Sequence, residues 1–300
     1  MEVIDNKEVK KGFKKDTGIS NMPLPTGFTF YHTDILFSVF AAKRICNDGS
    51  KVNRFYDEST KNKTKQITVF GDFLNIDTDF MLYTFLLEKL ERDNIFTHKD
   101  HVNLTVTTSF REIHDSFGKN LVKRGGKEIF NVYHKSLFNL QSVSLKINNE
   151  VVSLIERFQS FWDEDFDQHR EFKITFPPEI KYLGGTQSLL DKEKFKSLKE
   201  YSQSHKKLYA YISSFNNIKK FNVSTLYRVL GYTSEGVIID EYGNEKEYCK
   251  NLKNARSNLK QILEDLVWEG LIKHSKTFDI RAAKQYEIVK VSDIKKNKKD

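Results

Sequence analysis

The chain has 300 residues, with 49 Lys and Arg against 41 Asp and Glu and a formal net charge of +8. At roughly 150 residues per domain this length predicts two domains, and 38% hydrophobic with 13% aromatic residues predicts a packed core rather than a disordered chain. No apolar run approaches the ~20 residues that cross a bilayer, and the charged stretch from Met1 to Lys15 lacks the apolar segment of a secretory leader. Cys46 and Cys249 lie far apart and form neither a disulfide framework nor a paired metal half-site, so a reducing cytoplasm is the expected compartment. The basic balance, with a pI near 9.1, favours an anionic partner only weakly as a total, because most of the cations are lysine, the ordinary solubilising residue.

Residues 1–25 alternate Lys with Asp and Glu and are expected to form a flexible N-terminal arm. FTFYHTDILFSVFAAKR (28–44) opens the first domain, residues 47–65 read as a polar loop or hairpin arm, and QITVFGDFL as a strand and turn. TDFMLYTFLLEKLERDNI has Met81, Leu82, Phe85, Leu86 and Leu90 at helical spacing, with Asp77 or Thr78 able to cap its first turn. HVNLTVTT alternates as a strand does. Ser109 is placed to cap a short helix ending near Gly118, and a second helix is expected from about Lys123 to Leu140, with Ile129, Val132, Tyr133, Leu137 and Leu140 inward. SVSLKI, VVSLIERF and REFKITF follow as strand-like runs.

Pro177-Pro178 marks a boundary, since X-Pro disfavours helix and Pro interrupts strand ladders. HKKLYAYISSF reads as a helix, FNVSTLYRVLGY as a short helix capped by Ser224 and stopped at Gly231, and 234–247 as a loop of Gly, Asp, Glu and Asn. YCKNLKNARSNLKQILEDLVWEGLI is a long amphipathic helix with Leu252, Ala255, Leu259, Ile262, Leu263 and Leu266 on one face and Gly270 at its end. LIKHSKTFDI and KQYEIVKV complete a hairpin. Both halves thus run helix, short helix, longer helix, hairpin. The expected fold class is α+β, with two winged-helix domains in tandem at 26–176 and 177–292 and a basic tail at 293–300.

A search for catalytic chemistry finds no support. GGKE at 125–128 lacks the upstream Gly and the Ser/Thr of a phosphate loop. There is no nucleophile elbow and no HxH pair of the sort a rolling-circle nickase uses for its metal. His98 and His101 read as ordinary polar-turn histidines, and WDEDFD at 162–167 as a solvated turn. No enzyme activity, cofactor or metal is expected. The aromatics, Phe80, Phe85, Phe130, Tyr209, Tyr211 and Phe215 among them, read as core rather than as a stacking platform for single strands.

Charge placement is more informative than its total. The long helix of the second half carries Lys250, Lys253, Asn254, Arg256, Ser257 and Lys260 away from its apolar stripe, in its N-terminal half, while Glu264, Asp265 and Glu269 lie at the other end. A helix dipole prefers the reverse. Two readings stand: a DNA-reading helix, whose Lys and Arg meet phosphates and whose Asn, Arg and Ser meet base edges, or the solvated face of a core helix. Ser224, Thr225 and Arg228 on the preceding short helix belong with the first reading. In the first half, Lys119, Lys123, Arg124, Lys127, Asn131 and Lys135 surround Gly125-Gly126, where small residues allow close approach to a phosphate, or simply cap one core helix before the next. Two reading helices would let one chain touch two major-groove segments about one turn apart.

In this order, FTFYHTDILFSVFAAKR (28–44), QITVFGDFLNIDTDFMLYTFLLE (66–88), SFREIHDSFG with the basic helix after it (109–140) and HKKLYAYISSF, FNVSTLYRVLGY and NLKNARSNLKQILEDLVWEGLI (205–272) resemble plasmid replication initiators of the TrfA/RepA type. The resemblance spans about 28–290 and rests on order and spacing. It implies tandem winged helices that bind origin direct repeats (iterons) in double-stranded DNA as a monomer, open adjacent AT-rich DNA, and help recruit the host initiator, helicase and polymerase clamp. It also implies self-association into inactive dimers that limit copy number, and groove-reading helices at 123–140 and 249–268; with no membrane-spanning run, no membrane partner is expected. No clamp-binding pentapeptide of the glutamine-leucine type is evident, DILF at 34–37 being a poor match, and 47–65 departs from the family pattern as an insertion. The competing readings are a winged-helix transcriptional repressor, a rolling-circle nicking enzyme, and a protein-interaction scaffold that binds no DNA.

Overall fold

The structure is a computed structural model and describes residues 26–41, 52–57, 65–71, 74–92, 104–117, 126–147, 150–163, 168–181, 187–215, 219–230, 237–239, 245–247, 252–273 and 285–290. In chain order the elements begin with β1 (Phe28–His32), α1 (Thr33–Val39), β2 (Phe40–Ala41), β3 (Val52–Asp57), β4 (Lys65–Phe70) and β5 (Leu74–Asn75). Then come α2 (Asp79–Arg92), β6 (Leu104–Ser109), α3 (Phe110–Phe117), α4 (Gly126–Ser142), β7 (Ser144–Ile147), β8 (Glu150–Ser153), β9 (Arg157–Asp163) and β10 (Gln168–Phe176). The second half holds β11 (Gln187–Asp191), α5 (Lys192–Ser197), α6 (Gln203–Ser213), β12 (Lys219–Asn222), α7 (Val223–Val229), β13 (Val237–Ile239), β14 (Glu245–Glu247), α8 (Leu252–Trp268), β15 (Ile272–Lys273) and β16 (Gln285–Lys290).

Two units share one topology. In the first, α2, β6, α3, α4, β9 and β10 follow one another, and the sheet runs β6-β10-β9. In the second, α6, β12, α7, α8, β15 and β16 do the same, with the sheet in the order β12-β16-β15. Helix, strand, helix, helix and a hairpin whose last strand sits in the middle of the sheet is the winged helix, and the α+β class follows.

Local chemistry sets the starts and stops. Ser109 Oγ accepts the Glu112 N–H at 3.1 Å and the Glu112 carboxylate accepts the Ser109 N–H at 3.2 Å, a capping box that launches α3. The Glu112 carboxyl, tied also to Lys89 and Thr108, lies below its usual pKa, these contacts outweighing its slight desolvation. Ahead of α2 the clasp is Asn75, whose Oδ1 accepts the Thr78 N–H at 2.7 Å, while Asp79 Oδ2 accepts the Asn75 N–H at 2.9 Å. Thr78 stands at the cap position, as expected, but its hydroxyl donates to Asn75 rather than capping the helix. α8 ends on Gly270, at φ 67°, with Gly270 N–H on Val267 O at 3.0 Å and Leu271 N–H on Leu266 O at 3.0 Å. This is a Schellman stop, and it requires the left-handed residue that glycine supplies without strain.

Three expectations need correction. α7 begins at Val223, so Ser224 lies inside its first turn; the helix starts directly from the end of β12, and Asn222 holds the cap position. The run VVSLIERF is two strands, because the chain turns at Leu154 and Ile155, both buried, and the Glu156 N–H bonds Thr175 O at 2.9 Å. The wing of the first unit is therefore β9–β10, and β7–β8 is an added hairpin. Within 234–247, read as a loop, β13 and β14 form an antiparallel pair, the β-branched run Val237–Ile239 supplying a strand between turn-forming residues.

The added strands assemble separately. A six-stranded sheet runs β14-β13-β3-β4-β7-β8, so a hairpin inserted between α7 and α8 of the second unit joins strands that flank the first. The units are also joined by β1, which pairs antiparallel with β11 from Phe28↔Asp191 to His32↔Gln187. Side chains reinforce this seam. The Tyr31 hydroxyl donates to Ala210 O, Lys206 meets Asp77, and Lys192 sits 2.9 Å from Glu88, whose other neighbour is Arg92 at 2.7 Å. α2 is covered on nearly every side, with Phe80, Leu82, Tyr83, Leu86, Leu87 and Leu90 all at 1% exposure or less. It is thus a core helix rather than a one-sided amphipathic one.

Candidate nucleic-acid interface

α8 occupies the third-helix position of the second winged helix, the position that meets a major groove in this architecture. Its inner stripe is sealed: Ala255, Leu259, Ile262, Leu263 and Leu266 are at 4% exposure or less. Asn254, Arg256, Ser257 and Lys260 are all exposed on its N-terminal half. Lys253 lies on α8, but its side chain and Lys250 fall outside the described residues. Thr225 is half-buried on α7; Ser224 and Arg228 lie on α7 with side chains outside the description.

Burial raises the pKa of the Tyr227 hydroxyl on α7, and the Arg256 guanidinium beside it pulls in the opposite direction. The Arg256 guanidinium of α8 therefore lies close to the Tyr227 hydroxyl of α7, although among the described residues that buried hydroxyl makes no hydrogen bond of normal geometry. Among the described residues the ion-pair partner of Lys260 is Glu264, at 3.6 Å with both side chains about half in water, a geometry worth about 0.3–0.5 kcal/mol and easily exchanged for a phosphate.

The same face holds two further polar residues, Asn258 and Gln261, both exposed. Asn258 stands four residues after Asn254, so the two share a helix face, and that spacing is the signal that picks it out. Gln261 donates to Asp265 at 2.8 Å.

In the first unit the corresponding helix is α4. Asn131 and Lys135 are exposed on it and the backbone of Lys127 lies in its first turn, while Lys119, Lys123 and Arg124 fall outside the described residues. The inner face is anchored by Tyr133, Leu137 and Leu140 and by Ser136 Oγ, which donates to Asp79 Oδ1 on α2 at 2.6 Å. Burial raises the Asp79 carboxyl, opposed by its hydrogen bonds and the nearby Lys135 charge. Phe138, 61% exposed, adds an apolar group to α4's outer surface. The described part of this face is thus less cationic than that of α8.

His98, His101, Cys46 and Cys249 lie outside the described residues, as does most of WDEDFD. Among the described residues no group of three or more His, Cys, Asp or Glu is placed to hold a metal, and no helix is long and apolar enough to cross a membrane.

No family model matches the sequence, and no curated protein matches it. Among solved structures, the chain is similar to domains 2 and 3 of RctB at 13% identity and a TM-score of 0.47, covering 78% of this chain and 84% of that one. It is also similar to the Pi initiator protein solved in complex with iteron DNA, at 11% identity and a TM-score of 0.42, covering 81% of this chain and 97% of that one. Both likenesses are partial, and the winged-helix assignment stands on this chain's own helix and strand order.

Proposed function

We propose that this protein is a non-catalytic, sequence-specific double-stranded DNA-binding protein that initiates plasmid replication. In this reading it binds origin direct repeats through α8 and α4, promotes opening of adjacent AT-rich DNA, and recruits host replication proteins. It acts in the cytoplasm and balances a binding monomer against a dimer. The observation that carries the reading is the exposed set Asn254, Arg256, Ser257 and Lys260 on the N-terminal half of α8. Lys253 stands in the first turn, where the helix dipole disfavours a cation; Arg256 and Lys260 continue the basic set along the same half, and the residues between them have the donors and acceptors that read base edges. The initiator role, as opposed to DNA binding alone, rests on the resemblance in motif order.

The test uses the DNA beside the coding sequence. Affinity for a direct-repeat array there should exceed that for scrambled DNA by a factor of about a thousand or more at physiological salt, and permanganate should then reveal unpaired thymines in a neighbouring AT-rich tract. Specific binding without melting would make the protein a repressor. A covalent tyrosyl-DNA product would make it a nicking enzyme, and binding without sequence preference would remove the reading altogether.

A further inference from the structure

The outer side of α8 carries two stripes of different chemistry. Arg256 and Lys260, four residues apart and both exposed, make a basic one. Asn254, Asn258 and Gln261, spaced four and three and also exposed, make a second that is carboxamide throughout. Water is served equally well by any polar mixture, so a merely solvated face has no need to sort amides from cations.

Gln261 is also held in place. Its Nε2 donates to Asp265 Oδ1 at 2.8 Å, a contact that by itself is ordinary between residues four apart on a helix. The other oxygen of Asp265 is taken from a second element: His205 Nε2 on α6 lies 2.9 Å from Oδ2, with the imidazole side chain 11% exposed. His205 Nδ1 in turn lies 2.9 Å from Ser202 Oγ. The Tyr201 ring packs against the imidazole at 4.9 Å between centroids, and its hydroxyl donates to Glu269 at 2.7 Å. Both oxygens of Asp265 are thus engaged, and the carboxylate cannot turn from Gln261 without breaking a contact between α6 and α8. The amide spends one N–H on Asp265, and its carbonyl oxygen and second N–H form an acceptor beside a donor.

That pair matches adenine. In the major groove adenine offers its N6 amino group next to N7, a donor beside an acceptor, whereas guanine offers two acceptors and is matched by the paired donors of arginine. From Asn254 to Gln261 the stripe runs about 10 Å, or about three base-pair steps. We propose that Asn258 and Gln261 are specificity-determining residues for adenine in the DNA that α8 binds, and that Asp265, braced by His205, is the positioning residue for Gln261. This rests on α8 lying in the groove and adds which base it selects there.

Selection by the full-length protein from duplexes with a randomised centre tests it. Gln261→Arg should replace adenine by guanine at one position of the wild-type motif and Asn258→Arg at another, each with a preference of about tenfold or more for the new base. Asp265→Ala should weaken the choice of adenine at the Gln261 position alone, with the rest of the motif and the salt slope unchanged. Asp265→Asn, which keeps an acceptor for the amide, should restore it. Motifs identical to wild type in both arginine variants, or changes at positions where the wild type does not select adenine, would overturn the proposal while leaving sequence-specific binding intact. Base choice lost at every position in Asp265→Ala would overturn the positioning role. No enriched sequence with any of the proteins would remove the reading of α8 itself, and this proposal with it.

Discussion

Lys206 on α6 lays its ammonium against Asp77, just ahead of α2, and the pair is lopsided: the lysine side chain is 6% exposed and the aspartate 34%. Each partner comes from a different winged helix. Removing Asp77 leaves a buried ammonium with little beyond the Lys199 carbonyl at 3.5 Å, whereas removing Lys206 leaves a carboxylate already in contact with water. Asp77→Ala should therefore cost about 3 kcal/mol and Lys206→Met about 1 kcal/mol or less. Urea unfolding midpoints of the two variants check the order, and equal losses would contradict it.

One residue further on, Lys207 is deeply buried, and desolvation holds its ammonium down to about 7. An unfolded lysine titrates near 10.4, so between these values the unfolded chain binds the proton that the native chain has released. Stability then rises with pH across that window, and the penalty of burying the charge is largest below it. Lys207→Met should flatten the rise and stabilise the protein most at the low end. Urea titrations of both proteins from pH 6 to 10 measure the difference in slope.

If α8 reads DNA as proposed, Asn254→Ala or Arg256→Ala should cost about 1–3 kcal/mol on the cognate repeat and relax its specificity. Lys260→Ala should weaken binding on every sequence and lower the salt slope by about one. Tyr227→Phe removes the hydroxyl beside Arg256 and should reduce preference for the repeat while leaving the salt slope alone. Anisotropy titrations at several salt concentrations separate these effects, and unchanged affinity in all four variants would take α8 out of the groove.

Two glycines separate backbone strain from steric clash. Gly270, at φ 67°, has open space where a side chain would begin, so Gly270→Ala should cost about 1 kcal/mol, that of a left-handed alanine. Gly71, at φ 115°, would bring a Cβ to 2.8 Å from the Ser142 carbonyl oxygen, an atom fixed in backbone at the end of α4. Gly71→Ala should be the more destabilising of the pair in thermal unfolding.

What the sequence made legible was local. The Ser109 cap, the inner stripe of α8 and the stop at Gly270 each depend on residues within a turn or two of one another, and spacing reveals them. The β1–β11 pairing joins residues 28–32 to 187–191, and no periodicity in either run points to the other. The strand at Val237–Ile239 is three residues among turn formers, and its pairing with β3 is non-local. At the site, the polar face of α8 could be read from the order of its residues, and Asn258 was there to be read beside Asn254. The Arg256–Tyr227 contact crosses between two helices, so only their packing reveals it.

The pairing of β1 with β11 bears on how the chain emerges from the ribosome. Among the described residues β1 pairs only with β11, which is complete once residue 191 has been made, and β3 must wait longer still, for Val237–Ile239, before its outer edge is filled. Early and late segments meet across most of the chain, which slows folding and leaves strand edges open to other nascent chains in the meantime. A fragment truncated after the first winged helix would retain these edges permanently, and it should aggregate where the full-length chain does not.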